Sequence, residues 1–269
     1  MKDNIAILGC GNIGSAIANG LVKSKMYSVK NIFLSKRDIN SLKHFKEKGF
    51  NTVPNKLAIE KCSVLIIAVT PQQIDNLIEE IKSLVDADKH IILSVVSGVS
   101  IKQIKAKFGI NLPVVRVMPN TAIAIQESMT CISADDKDKN TLKIAEDIFN
   151  KLGKTVIIKE DLMVPATALC ACGVAFFLRA VRAASQGGIE IGFHAKDALF
   201  MAAQTAKGAA SLLLQNNAHP ESEVDKVTTP KGVTITGLNQ MEHSGFSSAL
   251  IKGIVTSAEK AENLYSAKD

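Results

Sequence analysis

Residues 5–14 read Ile5-Ala6-Ile7-Leu8-Gly9-Cys10-Gly11-Asn12-Ile13-Gly14, and this stretch decides the fold. A short apolar run ends at a glycine-rich turn. Ser15-Ala-Ile-Ala-Asn-Gly-Leu21 follows and reads as the opening of a helix. Strand, glycine turn and helix in that order are what a dinucleotide-binding unit requires. Gly9 permits the tight turn, Gly11 lets the backbone approach a pyrophosphate, and Gly14 lets the helix pack close to the strand. The N–H groups at the helix start then face the phosphates. Taken by itself, the motif leaves a plain tight turn in a parallel-sheet protein as the alternative.

Outward from that motif, β-rich runs alternate with helical stretches. Strands are expected at 4–8, 31–34, 52–53, 64–69, 90–95, 114–118, 129–133 and 155–158. Helices are expected at 13–24, 39–48, 71–83, 101–108 and 138–151. Such alternation predicts a parallel sheet with helices on both faces, and places ligand chemistry at the carboxyl ends of the strands. The character changes near Asp161. Residues 166–187 and 195–216 read as two long helices rich in alanine, 220–226 as a short polar helix, and 246–266 as a final helix. The fold class is therefore α/β: an N-terminal Rossmann-type doubly wound sheet, residues 1–160, followed by an all-α domain, residues 161–269. The helix around residues 200–214 is apolar around much of its circumference and must be covered. A second subunit across a two-fold axis is the simplest cover.

Composition narrows the function. The chain has 269 residues, 46% hydrophobic and 22% charged, ordinary for a globular protein. No apolar run approaches the roughly 20 residues of a membrane span. Met1-Lys-Asp-Asn leads straight into the first strand, leaving no room for a signal peptide. Five cysteines occur without a CxxC pair, and Cys170 and Cys172 have poor zinc spacing, so no metal is expected. These features predict reduced thiols in a cytoplasmic protein. The net charge of +6 is spread along the chain, and aromatics make up 4% with no tryptophan. Neither a nucleic-acid nor a membrane partner is expected. Positive charge instead suits an anionic cofactor and an acidic small-molecule substrate.

The second strand runs into Ser35-Lys36-Arg37. Serine stands where an NAD-preferring fold carries an acid, and two cations follow. A hydroxyl and a planar guanidinium suit a 2′-phosphate, which predicts NADPH, with NADH as the alternative. Asp38 is the one acid that a shifted turn would use. The apolar strand ending Ala68-Val69-Thr70-Pro71-Gln72 exposes its tip where a helix starts with proline at a position needing no donor. Small residues at Ser94-Val-Val-Ser97-Gly98 would allow close approach of the nicotinamide. The candidate cofactor positions are Ile7, Gly9, Cys10, Gly11, Asn12, Ile13, Ser35, Lys36, Arg37, Ala68, Val69, Pro71 and Ser97.

Two later segments narrow the chemistry further. The first is Val115-Arg116-Val-Met118-Pro119-Asn120-Thr121. The second is His219-Pro220 followed by Lys226-Val-Thr228-Thr229-Pro230-Lys231-Gly232-Val233-Thr234-Ile235-Thr236-Gly237-Leu238. With the glycine turn and Ala-Val-Thr-Pro-Gln, in this order, they resemble the pyrroline-5-carboxylate reductase family, the last enzymes of proline synthesis, nearly end to end. The resemblance implies reduction of L-1-pyrroline-5-carboxylate to L-proline by hydride transfer from NADPH to the cyclic imine. It also implies an interlocked homodimer formed by the helical domain, and dimers that often gather into decamers. The active site would lie between the cofactor domain and helices of both subunits.

By the same resemblance Thr229, Gly232, Val233 and Thr234 bind substrate, and Thr234 contacts the imine nitrogen as the catalytic threonine. Met118, Pro119 and Asn120 border the nicotinamide pocket and belong to the substrate-binding set as well, and Asn55 lies near the adenosine ribose. Asn120 is also open to a turn-forming role, and Asn55 to capping a helix over 56–61. The residues alone fit this chemistry: a hydroxyl-rich turn entering a helix points N–H groups at a carboxylate.

The chain departs from the family at Thr70, at Cys172 and Val174 within Ala171-Cys-Gly-Val174, at Arg182 and at Lys231. These departures leave open a reductase of a related cyclic imine or of a keto or hydroxy acid, and a non-catalytic NADP-binding sensor. The β-hydroxyacid dehydrogenases carry Lys-x-x-Asn-Asn on an early helix of the second domain. Phe177-Leu-Arg179-Ala-Val-Arg182 has no such lysine.

Overall fold

The computed structural model describes residues 4–262. Among them, one sheet is built from β1 (Ile5–Leu8), β2 (Ile32–Ser35), β3 (Asn51–Thr52), β4 (Val64–Ile67), β5 (Ile91–Ser94), β6 (Val114–Met118), β7 (Ser128–Ala134) and β8 (Gly153–Ile157). The order across the sheet is β3-β2-β1-β4-β5-β6-β7-β8. The sequence reverses direction between β1 and β4, which opens a crevice at the carboxyl ends of these two strands.

Every residue of β1 and of β4 is buried, as a strand covered on both faces requires. Alternate side chains go to opposite faces. Ile5 and Ile7 join a core with α1 (Asn12–Lys23), α2 (Lys43–Glu47) and, later in the chain, α6 (Lys139–Phe149). Ala6 and Leu8 join a second core with α3 (Asn55–Lys61), α4 (Ile74–Ile81) and α5 (Ile101–Phe108). Each such fully buried Ile or Leu contributes about 1.5–3 kcal/mol. Both faces are thus covered, as the alternating pattern predicts.

Three local differences from the sequence expectation have physical causes. The sheet is not wholly parallel, because β7 runs antiparallel to β6. Only a short 3-10 turn, Thr121–Ile125, joins them, too little chain for the crossover of a dozen or more residues that a parallel pair demands. The helix expected over 39–48 opens as a 3-10 turn, Ile39–Leu42, with the Asp38 carboxylate accepting from Asn40 N. Likewise the helix expected over 71–83 opens as Pro71–Gln73, where Thr70 and Gln73 form a capping box.

Past the sheet, helices follow as α7 (Met163–Ala166), α8 (Gly173–Glu190), α9 (Ala195–Asn216), α10 (Pro220–Lys226), α11 (Val233–His243) and α12 (Phe246–Glu262). Residues 263–266 of the expected last helix lie outside the described residues. Between α7 and α8, Thr167–Cys172 forms a widened turn with i→i+5 bonding. At its start Thr167 Oγ1 donates back to the Met163 carbonyl at 2.9 Å.

The continuous helical run over 160–190 is long and apolar enough to span a membrane; its most apolar 18-residue window has mean hydropathy 1.8, and 28% of that window is buried. This corrects the expectation that no such segment exists. Half-polar cysteines, glycine and two arginines break the run to the eye, while the helix continues through them. The chain divides into two compact units, one running to Cys172 and taking in the helix end from Ser257, the other Gly173–Thr256.

Candidate active site

The glycine turn has the geometry that its residues imply. Gly9 adopts φ +92°, and a Cβ there would lie 2.4 Å from Val69 Cγ1 and 2.9 Å from the Ala68 carbonyl oxygen. Its N–H and that of Cys10 both donate to the Ser35 carbonyl at 3.0 Å, which pins the turn to the end of β2. A Cβ on Gly14 would meet the Gly9 carbonyl oxygen at 2.9 Å, so the helix start packs directly on the turn. Nothing stands within 4 Å of a Cβ built on Gly11. No side chain caps the start of α1, and its first turn carries no acid. The backbone donors of Asn12, Ile13 and Gly14 are thus offered to an anion in front of Gly11.

That space opens into a cavity of about 560 Å³. Gly9 and Gly11 form one wall, Lys36, Arg37 and Asp38 another, and Pro54, Asn55, Ala68, Val69 and Thr70 a third. Gln73, Asn76, Leu77 and Glu80 complete it from the 3-10 turn and α4. Seven of the positions expected from the sequence therefore share one cavity: Gly9, Gly11, Lys36, Arg37, Asn55, Ala68 and Val69. The α4 residues were not anticipated. Their one signal is that Pro71 starts a helix at a strand tip, which aims the first turns of that helix at the crevice.

Ser35 differs from expectation. Its hydroxyl is buried and donates to Asn55 Oδ1, while Asn55 Nδ2 donates to Glu80 Oε1 at 2.8 Å. Ser35 therefore meets Asn55, which lines the cavity, and is not itself among the lining residues. Asn55 does not cap α3, whose N-cap is Pro54. Asp38 is engaged at the 3-10 turn through Asn40 N at 3.1 Å. Ile7 and Cys10 are buried beneath the turn. Pro71 and Ser97 do not border the cavity; Pro71 starts the turn behind it, and Ser97 lies half-buried in the loop after β5.

The residues suit a dinucleotide: a glycine wall with open space before it, an uncapped helix start, and two cations at the end of β2. Lys36 and Arg37 both line the cavity just past the end of β2.

The remaining candidates fall into two groups, one in each compact unit. In the first, Met118 ends β6 with its side chain packed on Cys131, Met163 and Ala166. Pro119 follows it. Asn120 is buried, its Oδ1 accepting from Ala122 N and its Nδ2 donating to the Cys170 carbonyl, both at 3.0 Å. Of the two uses that the sequence leaves open, Asn120 shows backbone bonding. Arg116, in the same motif, is 4% exposed and pairs with Glu160 at 3.2 Å. Burial lowers its pKa, and the Glu160 charge opposes that. Glu160 also accepts from Ile101 N at 2.6 Å, so it closes the start of α5 as well.

In the second unit, Gly232 N donates to the Thr229 carbonyl at 2.9 Å across a turn with Pro230 and Lys231 at its centre. Lys231 adopts φ +59°. Gly232 is the N-cap of α11, and a Cβ on it would lie 2.5 Å from Thr229 Oγ1. Thr234 is half-buried in the first turn of α11, and Val233 beside it is 90% exposed. The turn thus presents an uncapped helix start with hydroxyls on it, an arrangement suited to a carboxylate.

The chain is 54% identical to pyrroline-5-carboxylate reductase 1 of Dictyostelium discoideum over all of its own length and 51% of that protein's. It is 51% identical to pyrroline-5-carboxylate reductase 2 of the same organism, over 98% of its length and 94% of the relative's. The chain belongs to the pyrroline-5-carboxylate reductase family. It thus spans about half the length of one of these two relatives and nearly all of the other. Residues 160–264 match the family described as pyrroline-5-carboxylate reductase dimerisation. Residues 4–98 match the family described as NADP oxidoreductase, coenzyme F420-dependent. A solved pyrroline-5-carboxylate reductase from Coxiella burnetii superposes with a TM-score of 0.89 at 26% identity, covering 99% of this chain and 100% of that one. The Rossmann sheet followed by helices is the reductase architecture, and the helical half is the family's dimerisation domain.

Proposed function

We propose that the chain reduces L-1-pyrroline-5-carboxylate to L-proline with NAD(P)H. The observation that carries this reading is the pairing, within one family member, of a phosphate-binding glycine turn with the hydroxyl-rich turn at Thr228–Thr236. Residues 1–160 serve the dinucleotide, and residues 161–269 serve dimerisation and substrate. The backbone around Gly9, Gly11 and Ile13 would hold the pyrophosphate, Lys36 and Arg37 the 2′-phosphate, and Asn55 the adenosine ribose. A reduced dinucleotide held there would supply the hydride that the imine carbon takes.

The chain's own residues bind and orient the acceptor. Backbone N–H groups of Gly232 and Val233, with the Thr229 hydroxyl, take the substrate carboxylate at the start of α11. Thr234 holds the imine nitrogen by a hydrogen bond and relays a proton from water. A protonated imine needs little acid help from a hydroxyl of ordinary acidity, so positioning and exclusion of water supply most of the acceleration. Met118, Pro119 and Asn120 shape the neighbourhood of the nicotinamide. The protein works as a homodimer, with five dimers forming the next level of assembly. It acts in the cytoplasm, in keeping with its five free thiols.

The test is a coupled measurement. Purified protein with NADPH and pyrroline-5-carboxylate should oxidise the cofactor and yield proline. Thr234→Ala should lower kcat by about 100-fold or more while the NADPH dissociation constant stays unchanged. Cofactor binding without turnover, or turnover only with another imine or a keto acid, would overturn the assignment.

A further inference from the structure

Cys131 lies on β7 directly across the ladder from Met118. Cys170 lies in the widened turn before α8. Their sulfur atoms are 3.8 Å apart, and both are free thiols, Cys131 buried and Cys170 half-buried. Met118, Met163 and Ala166 pack around them. Hydride transfer to an imine uses neither thiol. The pair is nonetheless tied to the candidate site, because the Cys170 carbonyl holds the Asn120 carboxamide.

We propose that Cys131 and Cys170 form a modification site: a dithiol that a hydroperoxide converts to a reversible disulfide. Cys170 is the attacking sulfur. It is the more accessible of the two, and its contact with the Cys131 thiol draws its pKa down, against burial. The same contact, with burial, holds Cys131 as a thiol. Burial pushes the Cys10 thiol up, and the Cys62 thiol up to about 12, so neither competes as a nucleophile.

In the first step the Cys170 thiolate attacks a peroxide oxygen. The O–O bond breaks, hydroxide leaves and is protonated to water, and Cys170 becomes a sulfenic acid. Cys131 then gives up its proton and attacks the sulfenic sulfur. The S–O bond breaks, a second water leaves, and the S–S bond forms. Two thiols lose two electrons, and one hydrogen peroxide becomes two waters. A small thiol such as glutathione reverses the change by exchange.

The sulfurs must close from 3.8 Å to about 2.05 Å. Cys131 is held by ladders on both sides, to Met118 and to Val156. The movement therefore falls on Cys170, where i→i+5 bonding winds the backbone more loosely than an α-helix. Its carbonyl moves too, and with it the seat of Asn120.

The experiment uses the whole chain, reduced, desalted and treated with equimolar hydrogen peroxide. Free thiols are then alkylated and the digest is mapped without reduction. The expected product is a Cys131–Cys170 linked peptide pair, lighter by two hydrogens, accounting for most of the protein and lost on adding dithiothreitol. In Cys131→Ser, Cys170 should instead be trapped by dimedone as the sulfenic acid. Retention of both thiols, or a link made through Cys172 in place of Cys170, overturns the proposal. The readout does not involve turnover, so it stands or falls apart from the catalytic reading.

Discussion

The two halves of this chain treat apolar side chains in opposite ways. In the sheet, Ile5, Ile7, Leu8, Leu65, Ile66 and Ile67 are wholly inaccessible. After residue 172, Leu214 is 86% exposed, Ile191 78% and Phe200 71%. A doubly wound sheet finishes its own interior, since each strand finds helices above and below. The α8–α9 hairpin closes only along one seam, where a Cβ on Gly188 would meet the Ala198 Cβ at 3.1 Å. Its outer apolar residues describe a surface that another chain is needed to cover. Local sequence therefore specifies the first half as an object and the second as part of an interface.

Substitutions in the glycine turn sharpen that contrast most. Gly9→Ala sets a Cβ against Val69 and the Ala68 carbonyl at a positive φ. It should cost about 3 kcal/mol or more, abolish NADPH binding, and show first as a lowered melting temperature. Gly11→Ala meets nothing within 4 Å, so it should melt like the parent yet bind NADPH about tenfold more weakly, about 1.4 kcal/mol. If both variants melt alike, the turn is not as tightly packed as its contacts imply.

On the other side of the comparison, Phe200→Asp should raise the dimer dissociation constant by about 30-fold or more, about 2 kcal/mol, by sedimentation. Nucleotide affinity should not change; a parallel loss would show that the halves are not separable. Arg37→Ala is the smaller test within the first half. It should raise KM for NADPH by about tenfold and leave that for NADH nearly unchanged. Smallest of all, Lys231→Gly relieves a left-handed lysine and should stabilise the chain by about 0.5–1 kcal/mol, read as a melting temperature a few degrees higher.

How far the sequence could be read depends on where the partner of each residue lies. The expected strands are all present, within two residues at each end, because β-branched runs bounded by turns are local signals. The reversed direction of β7 was not legible, since a strand looks the same whichever way its neighbour runs. At the cavity, the glycines and the two cations were legible from type and position alone. The bond of the Ser35 hydroxyl to Asn55, twenty residues on, was not legible, and Asn120 stayed open because its amide bonds Cys170, fifty residues on. Glu80 and Asn76 went unseen because packing alone turns the face of α4 toward the crevice. The widened turn at Thr167–Cys172 has no marker beyond a bunching of small residues.

That turn also carries a load for the sheet. An i→i+5 ring holds one residue more than an α-helical ring, so deleting a single residue between 167 and 172 would tighten the winding within the turn. The Cys170 carbonyl would then leave the Asn120 carboxamide without its acceptor, and a change in helix winding would be felt as an unpaired buried amide at the end of β6.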